Sequence, residues 1–503
     1  MIKIILKSLI FYSLIFFTFF LFSKDIQDYG VTWDEFFHRG TGNMYYDFLG
    51  TGKLDEILKY EKSAWFPPLA STIGYIFIKN PLLIKLYPTL MDRFHLAAVF
   101  YGSMTIGFVF LISELLLDNL FLSAFASLLL IFHPQFTVNA HTNVRDMGLM
   151  MFYSFTILTL ILAVKTRKKR FWSIVSGILA GMAAASKQNG FILLITGVPC
   201  LLINCNKKTI SSVIKSLFLF ILFFIAGFIL FWPYLWVDTF RHLLEAWHFL
   251  TTPSIIGGTA IFYDKAYISL KNVPFYYPWI MLFILTPPYV GIFWILGLFT
   301  GFYFKKREFI VLYLWILIPL SRFLIPTSAI AYDQIRHFLE VLPTIPIFAA
   351  VGIFFLLKIF KNYVWIKSLI YAVCIIILVL TVNISNNYKP FGNAYFNIFA
   401  GPTSFVNHAF DVEYWGNVYR QAAHDLNSKY GKNVKYNTGG LGAHLLKEDG
   451  LLGDVTDELS DQFDYVIFMN KQSWIRNNAY LLWLLKNKNP IYTISREGKI
   501  LFY

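Results

Sequence analysis

The sequence predicts a mainly helical, polytopic membrane bundle carrying a small α/β tail. Three observations lead there. Of 503 residues, 57% are hydrophobic and only 14% are charged, whereas soluble chains carry nearly twice that charge. The mean hydropathy is +0.57. Apolar runs recur along the chain and stop near residue 384, where the composition turns polar and mixed.

The elements follow in order. Lys3 and Lys7 precede an apolar run over 9–22 that ends "FLFSKD". No small-x-small cleavage site follows, so it reads as an uncleaved first span. Further runs lie at 93–112, 119–134, 147–164, 171–186, 190–204, 213–235, 279–303, 309–326, 336–358 and 367–384, giving about eleven helices. A span needs about 20 residues, so the shorter runs must tilt or be flanked by buried protein. The basic segments "KTRKKR", "NKK", "KKR" and "KIFKNYVWIK" fall in alternate loops, on the side of Lys3 and Lys7. The positive-inside rule then places the N-terminus in the cytoplasm and the C-terminus outside.

This placement also accounts for the net charge of +14: it is a topology signal, and no nucleic-acid partner is expected. Cys200, Cys205 and Cys374 lie in or beside apolar runs. They offer no disulfide framework and no zinc spacing. The expected organisation is a membrane module over 1–384, with external loops at 24–92 and 235–278, and an extracytoplasmic α/β domain over 385–503. In that domain "YVIFMN" and "PIYTI" read as short buried strands, and 412–428 and 473–486 as helices. The aromatic stretch "EYWGNVYR" reads as its core.

The loop after the first span is "DYGVTWDEFFHRG", which sets Asp28, Asp34, Glu35 and His38 at the outer membrane boundary. A solvated loop that merely stops the helix would also hold acids. Here, however, the loop runs on to "AWFPPLASTIGY", an apolar segment suited to the membrane face. A second acid recurs at the same depth in "HTNVRDMGLMMF", where Asp146 follows Arg145; taken alone, Asp146 is equally a helix cap. Cations share this boundary. Arg93 opens a helix, Lys187 sits in a tight break in "GMAAASKQNGF", and Arg336, His337 and Glu340 cluster in "IRHFLEV". Snorkelling would explain Lys187, and a structural salt bridge would explain Arg336 with Glu340. Charges near a bilayer more often face a cavity and a partner. Together these are acids able to activate a hydroxyl and cations able to hold a phosphate. A phosphate-headed lipid would suit them, and no Gly-rich nucleotide loop is present.

At this point the chain resembles the GT-C superfamily of integral-membrane glycosyltransferases, in the branch of protein O-mannosyltransferases and lipid A aminoarabinose transferases. "TWDEFFH", "WFPPL", "NVRDMGLMMF", "SGILAGMAAASKQNG", "NVPFYYPWIMLFILTPP" and "IRHFLEVLPTIPIFAAVGI" resemble the family's motifs in order. The tail stretches "AFDVEYWGNVYRQAAHDLN" and "PIYTISREGKILFY" resemble the soluble region of bacterial relatives. The resemblance implies a polyprenyl-phosphate sugar donor, an inverting transfer to a protein, lipid or glycan acceptor, and catalysis at the periplasmic face of a bacterial inner membrane. It implies Asp34 as general base, with Glu35 and Asp28 as alternatives, and Asp146 as the second acid. Lys187, Arg336, His337 and Arg93 are implied as phosphate contacts, with His38 and Glu340 as further candidates. Phe66 stands where relatives often carry Lys or His nearby, a role Lys62 could fill. No tight D-x-D pair occurs in the first loop, so no metal or other cofactor is expected. The rival classes are a transporter or flippase, which would show paired repeats and charges near mid-membrane, and a non-catalytic scaffold.

Overall fold

The computed structural model describes residues 2–59, 64–203, 205–252, 258–269, 271–325, 330–440, 442–458 and 462–503; Lys62 lies outside them. Helix α1 (Ile2–Lys24) is apolar on every face beyond Lys7 until Lys24 ends it. Leu14, Thr18 and Phe22 are its buried stripe, at the four-residue spacing that puts side chains on one helix face. They pack toward α4 (Leu90–Leu117), where a side chain at Gly107 would collide with Phe11 and Ile15. In chain order α2 (Glu35–Thr51) and α3 (Leu69–Lys79) come between them.

Each of the eleven apolar runs is helical over most of its described residues, but the helix lengths differ. Among the described residues six helices are long and apolar enough to cross a membrane, or seven if one bent pair is a single span. That pair is α5 (Leu120–Ile131) and α6 (Pro134–Thr142), bent by 64° at His133. Pro134 has no N–H for the preceding helix but suits the first turn of the next. Next come α7 (Val144–Lys165), α8 (Lys169–Ser186), α9 (Ile192–Leu202) and α10 (Ile210–Leu230). Helices α8 and α10 cross closely because Gly181 carries no Cβ; one there would lie 2.5 Å from the Phe224 carbonyl oxygen. Helix α11 (Thr239–Thr251) and the hairpin β1 (Thr259–Phe262)–β2 (Lys265–Ile268) follow. The 279–303 run divides at Pro287 into α12 (Tyr277–Ile284) and α13 (Pro288–Thr300). Then come α14 (Arg307–Ser321), α15 (Thr344–Ile359) and α16 (Val364–Tyr388).

Basic residues from the N-terminus and two of the basic loops gather at one end of the bundle. Lys3 reaches Asp118 at 2.7 Å and Lys7 reaches Glu114 at 2.7 Å. Lys165 and Lys306 donate to the carbonyls of Leu115 and Leu116. All four meet the C-terminal end of α4, which holds that helix's unpaired carbonyls and favours cations.

The tail is mixed α/β. Strands β3 (Lys435–Asn437), β4 (Asp454–Thr456) and β5 (Tyr465–Val466) form a parallel sheet in the order β4-β3-β5. Strands β6 (Ile494–Arg496) and β7 (Lys499–Phe502) form an antiparallel hairpin. The helix expected over 412–428 starts later, as α17 (Tyr419–Tyr430). The Glu413 carboxylate accepts from the amides of Trp415 and Gly416, at 2.9 and 3.0 Å, and Gly416 turns the chain at φ +91°. That local bonding holds the preceding segment out of the helix. The helix expected over 473–486 divides into Gln472–Ile475 and Ala479–Asn487, the second capped by the Asn478 side chain.

Candidate active site

At the end of the bundle opposite the basic loops, the segments that carry Asp34, Asp146, Lys187 and Arg336 meet the tail around a cavity of about 600 Å³, which Phe66, Phe249 and Thr259 also line. Each acid is aimed by its local backbone. Asp34 occupies the N-cap position of α2 but makes no capping bond to it. Its carboxylate instead accepts from Arg336 Nη1 at 2.6 Å. Asn143 caps α7 by accepting from the Asp146 amide at 3.1 Å, and its amide group donates to Asp146 Oδ2 at 3.0 Å. The other Asp146 oxygen accepts from Lys187 Nζ at 2.6 Å, with both side chains 6% exposed. Lys187 stands where α8 ends, its backbone extended at φ −156°.

Arg336 is the hub. Asp333 approaches it at 3.5 Å, and its guanidinium lies 4.7 Å from the Trp415 ring centroid. Asp333 and Gln334 hold φ values of +54° and +55°. Consecutive left-handed non-glycine residues are strained, and such strain tends to collect at functional sites. From the tail, Lys471 donates to Asp333 at 2.9 Å and to the Tyr414 carbonyl at 3.2 Å. Arg145 donates to the Gln188 side chain at 2.9 Å, 4.9 Å from the Phe66 ring centroid. Arg145, Lys187, Arg336 and Lys471 against Asp34, Asp146 and Asp333 leave the charged lining one positive charge in excess.

Burial pushes the Asp34 carboxyl upward, but the Arg336 guanidinium outweighs it and holds the group at about 2. Burial, reinforced by Arg145, lowers His38 to about 3, which leaves its imidazole neutral near pH 7. Burial also lowers Lys471, but Asp333 and then Asp411 raise it above its ordinary value.

Of the residues singled out in the sequence, Asp34, His38, Asp146, Lys187, Arg336 and His337 line this cavity. Four others do not. Glu35 turns inward, where its carboxylate meets His95 at 2.9 Å and accepts from the Thr32 amide at 3.0 Å; neighbours on a helix point about 100° apart. Arg93 donates to the carbonyls of Tyr87 and Pro88 at 2.8 and 3.0 Å, closing the turn before α4. Glu340 is buried 3.8 Å from Arg322. Asp28 is exposed on the one-turn helix Ile26–Asp28. Asp333, Lys471 and Trp474 also line the cavity, and no motif marked them. Asp333 stands three residues before Arg336, just ahead of "IRHFLEV", a spacing that could have marked it.

Among the described residues no group of three or more His, Cys, Asp or Glu side chains is placed to hold a metal ion. Asp34 and Asp146 are each engaged by a cation.

Comparisons with known proteins agree on the architecture. Residues 82–236 match the family model described as dolichyl-phosphate-mannose-protein mannosyltransferase. The structure of ArnT from Cupriavidus metallidurans in the apo state aligns with a TM-score of 0.51 at 12% identity, over 98% of this chain and 97% of that one. The archaeal oligosaccharyltransferase AglB from Archaeoglobus fulgidus, in complex with an inhibitory peptide and a dolichol-phosphate, aligns with a TM-score of 0.50 at 12% identity, over 88% of this chain and 64% of that one. A search of curated sequences finds no match.

Proposed function

We propose that this chain, an integral membrane protein with the GT-C glycosyltransferase fold, moves a monosaccharide from a polyprenyl-phosphate donor to a hydroxyl acceptor with inversion. The observation that carries this is the Asp34–Arg336 pair on a cavity whose charged lining is net cationic. The donor phosphate enters among Arg336, Lys187 and Arg145 and competes with Asp34 for the Arg336 guanidinium. Released from that pairing, Asp34 becomes a stronger base. It takes the acceptor's proton as the acceptor oxygen attacks the anomeric carbon from the face opposite the phosphate. The bond from that carbon to the phosphate oxygen breaks, and the lipid phosphate leaves with the electron pair. Cations facing the leaving group stabilise its growing charge without a proton donor. His38, neutral beside Asp34, helps place the acceptor.

The family match and the AglB complex with a dolichol-phosphate support a lipid-phosphate donor. No metal is required on this proposal, because both acids already serve cations. The catalytic face is the periplasmic side of a bacterial inner membrane, and the acceptor is a protein, lipid or glycan presented there.

The test is transfer from a panel of radiolabelled polyprenyl-phosphate sugars by purified protein, with wild type beside Asp34→Asn, with and without EDTA. Label should move in wild type, stop in the variant and ignore EDTA. Lipid phosphate bound but no donor ever consumed would favour a flippase instead.

A further inference from the structure

The loop that delivers Asp34 is suspended largely from the tail of the same chain. Four successive amides are held. Gly30 N–H donates to Asn417 Oδ1 at 2.8 Å, and Val31 N–H to Asp449 Oδ2 at 3.1 Å. Thr32 N–H donates to Glu35 at 3.0 Å, and Trp33 N–H to the Trp415 carbonyl at 2.9 Å. Three of the four acceptors therefore belong to residues 415–449.

The acceptors are themselves fixed. Asn417 donates to the Pro390 carbonyl at 2.9 Å. Asp449, with its side chain fully buried, accepts from Arg420 Nε at 3.2 Å. Arg420 also reaches Asp92 at 3.0 Å and the Gln27 carbonyl at 2.9 Å. A second tie runs from Arg39, one turn past Asp34, to Glu448 at 2.6 Å. There is no slack at Gly30, where a Cβ would lie 2.5 Å from the Asn417 carbonyl oxygen.

We propose that Asn417 and Asp449 are positioning residues for the Asp34 carboxylate, acting through the backbone amides of Gly30 and Val31. This rests on the role of Asp34 given above. Neither side chain lines the cavity, so their effect on chemistry passes through the loop. Pinning consecutive amides fixes the dihedral angles that aim the next side chain. A base displaced by about 1 Å can lose about 10²-fold in rate.

The test uses the full chain in nanodiscs with paired substitutions. Asp449→Leu and Asn417→Leu remove the acceptor, while Asp449→Asn and Asn417→Asp keep an acceptor oxygen. Hydrogen exchange of peptides covering 29–35, read by mass spectrometry, reports the loop independently of activity. Each Leu variant should speed exchange there about tenfold, the scale of one lost hydrogen bond. Each should also lower kcat about tenfold or more while the donor KM changes less than twofold. Each acceptor-keeping variant should restore most of both. The proposal is overturned if the Leu variants keep wild-type protection, or if the conservative variants fall as far as they do. If one Leu variant does not fold, the other site's pair decides. If wild type transfers from no donor, the catalytic role of Asp34 fails, and the exchange data still decide whether the tail holds the loop.

Discussion

Asp34 and Arg336 lie 302 residues apart in sequence and 2.6 Å apart in space. That pairing sets the pH behaviour of the site. In the free protein Asp34 titrates at about 2, so kcat/KM for the donor should show no acid limb from this group down to pH 4. On the proposed mechanism the donor phosphate draws Arg336 away, so the carboxyl should rise and kcat should fall on the acid side at a higher pH. Arg336→Met removes the cation and should move the kcat/KM limb upward as well. Steady-state rates from pH 4 to 9 check this.

Asp34→Asn keeps the shape and loses the base. Transfer should fall by about 10²–10⁴. Binding of a polyprenyl phosphate, measured by thermal shift, should hold or tighten, since the phosphate no longer competes with a carboxylate for Arg336.

Lys187→Met strands the buried Asp146 charge. Removing one partner of a buried pair costs about 3–5 kcal/mol, visible as a large drop in unfolding temperature in detergent. Adding Asp146→Asn should recover most of the stability and none of the transfer.

Asp449 predicts a pH-dependent stability. Burial pushes its carboxyl up to about 7 although Arg420 and the Val31 amide pull it down. The folded protein thus holds this proton more tightly than the unfolded chain does. The contribution is fully present below the ordinary carboxyl range and is lost as pH rises through about 7. Asp449→Asn should flatten the fall in Tm between pH 5 and 8.

Two glycines should respond in opposite directions. A Cβ at Gly297 in α13 would run into the Phe348 carbonyl oxygen of α15, so Gly297→Ala should destabilise by about 1–3 kcal/mol or more. Gly40, on α2, has nothing within 4 Å, and Gly40→Ala should stabilise by about 0.5–1 kcal/mol. Thermal unfolding of both variants checks the pair.

Much of this was legible in the residues, for physical reasons. Apolar runs mark helices because lipid leaves the backbone no other partner. Charges crowded at one boundary marked Asp34, Asp146, Lys187 and Arg336, because such charges need partners, and the fold brings all four to one cavity. Glu35 and Glu340 shared that boundary but face the protein interior; position along the chain gives depth and not direction. Lys471 and Asp449 were invisible because their roles depend on contacts across 138 and 418 residues, which no local pattern encodes. Span lengths were blurred where proline or a 3-10 turn interrupts an apolar run, as at Pro287 and Arg336–Val341.

The suspension of the Asp34 loop also dictates when the protein matures. The acid is made among the first few dozen residues, yet the Asp449 that holds Val31 follows 418 residues later. At about 5–20 residues per second, roughly 20–80 s of synthesis separate the two. Throughout that interval the bundle can insert, but the acid is not yet set and the cavity still lacks the wall that Trp415 and Lys471 give it. A chain halted before residue 417 should therefore transfer nothing, so biosynthesis itself delays the chemistry until the last part of the polypeptide has folded against the first.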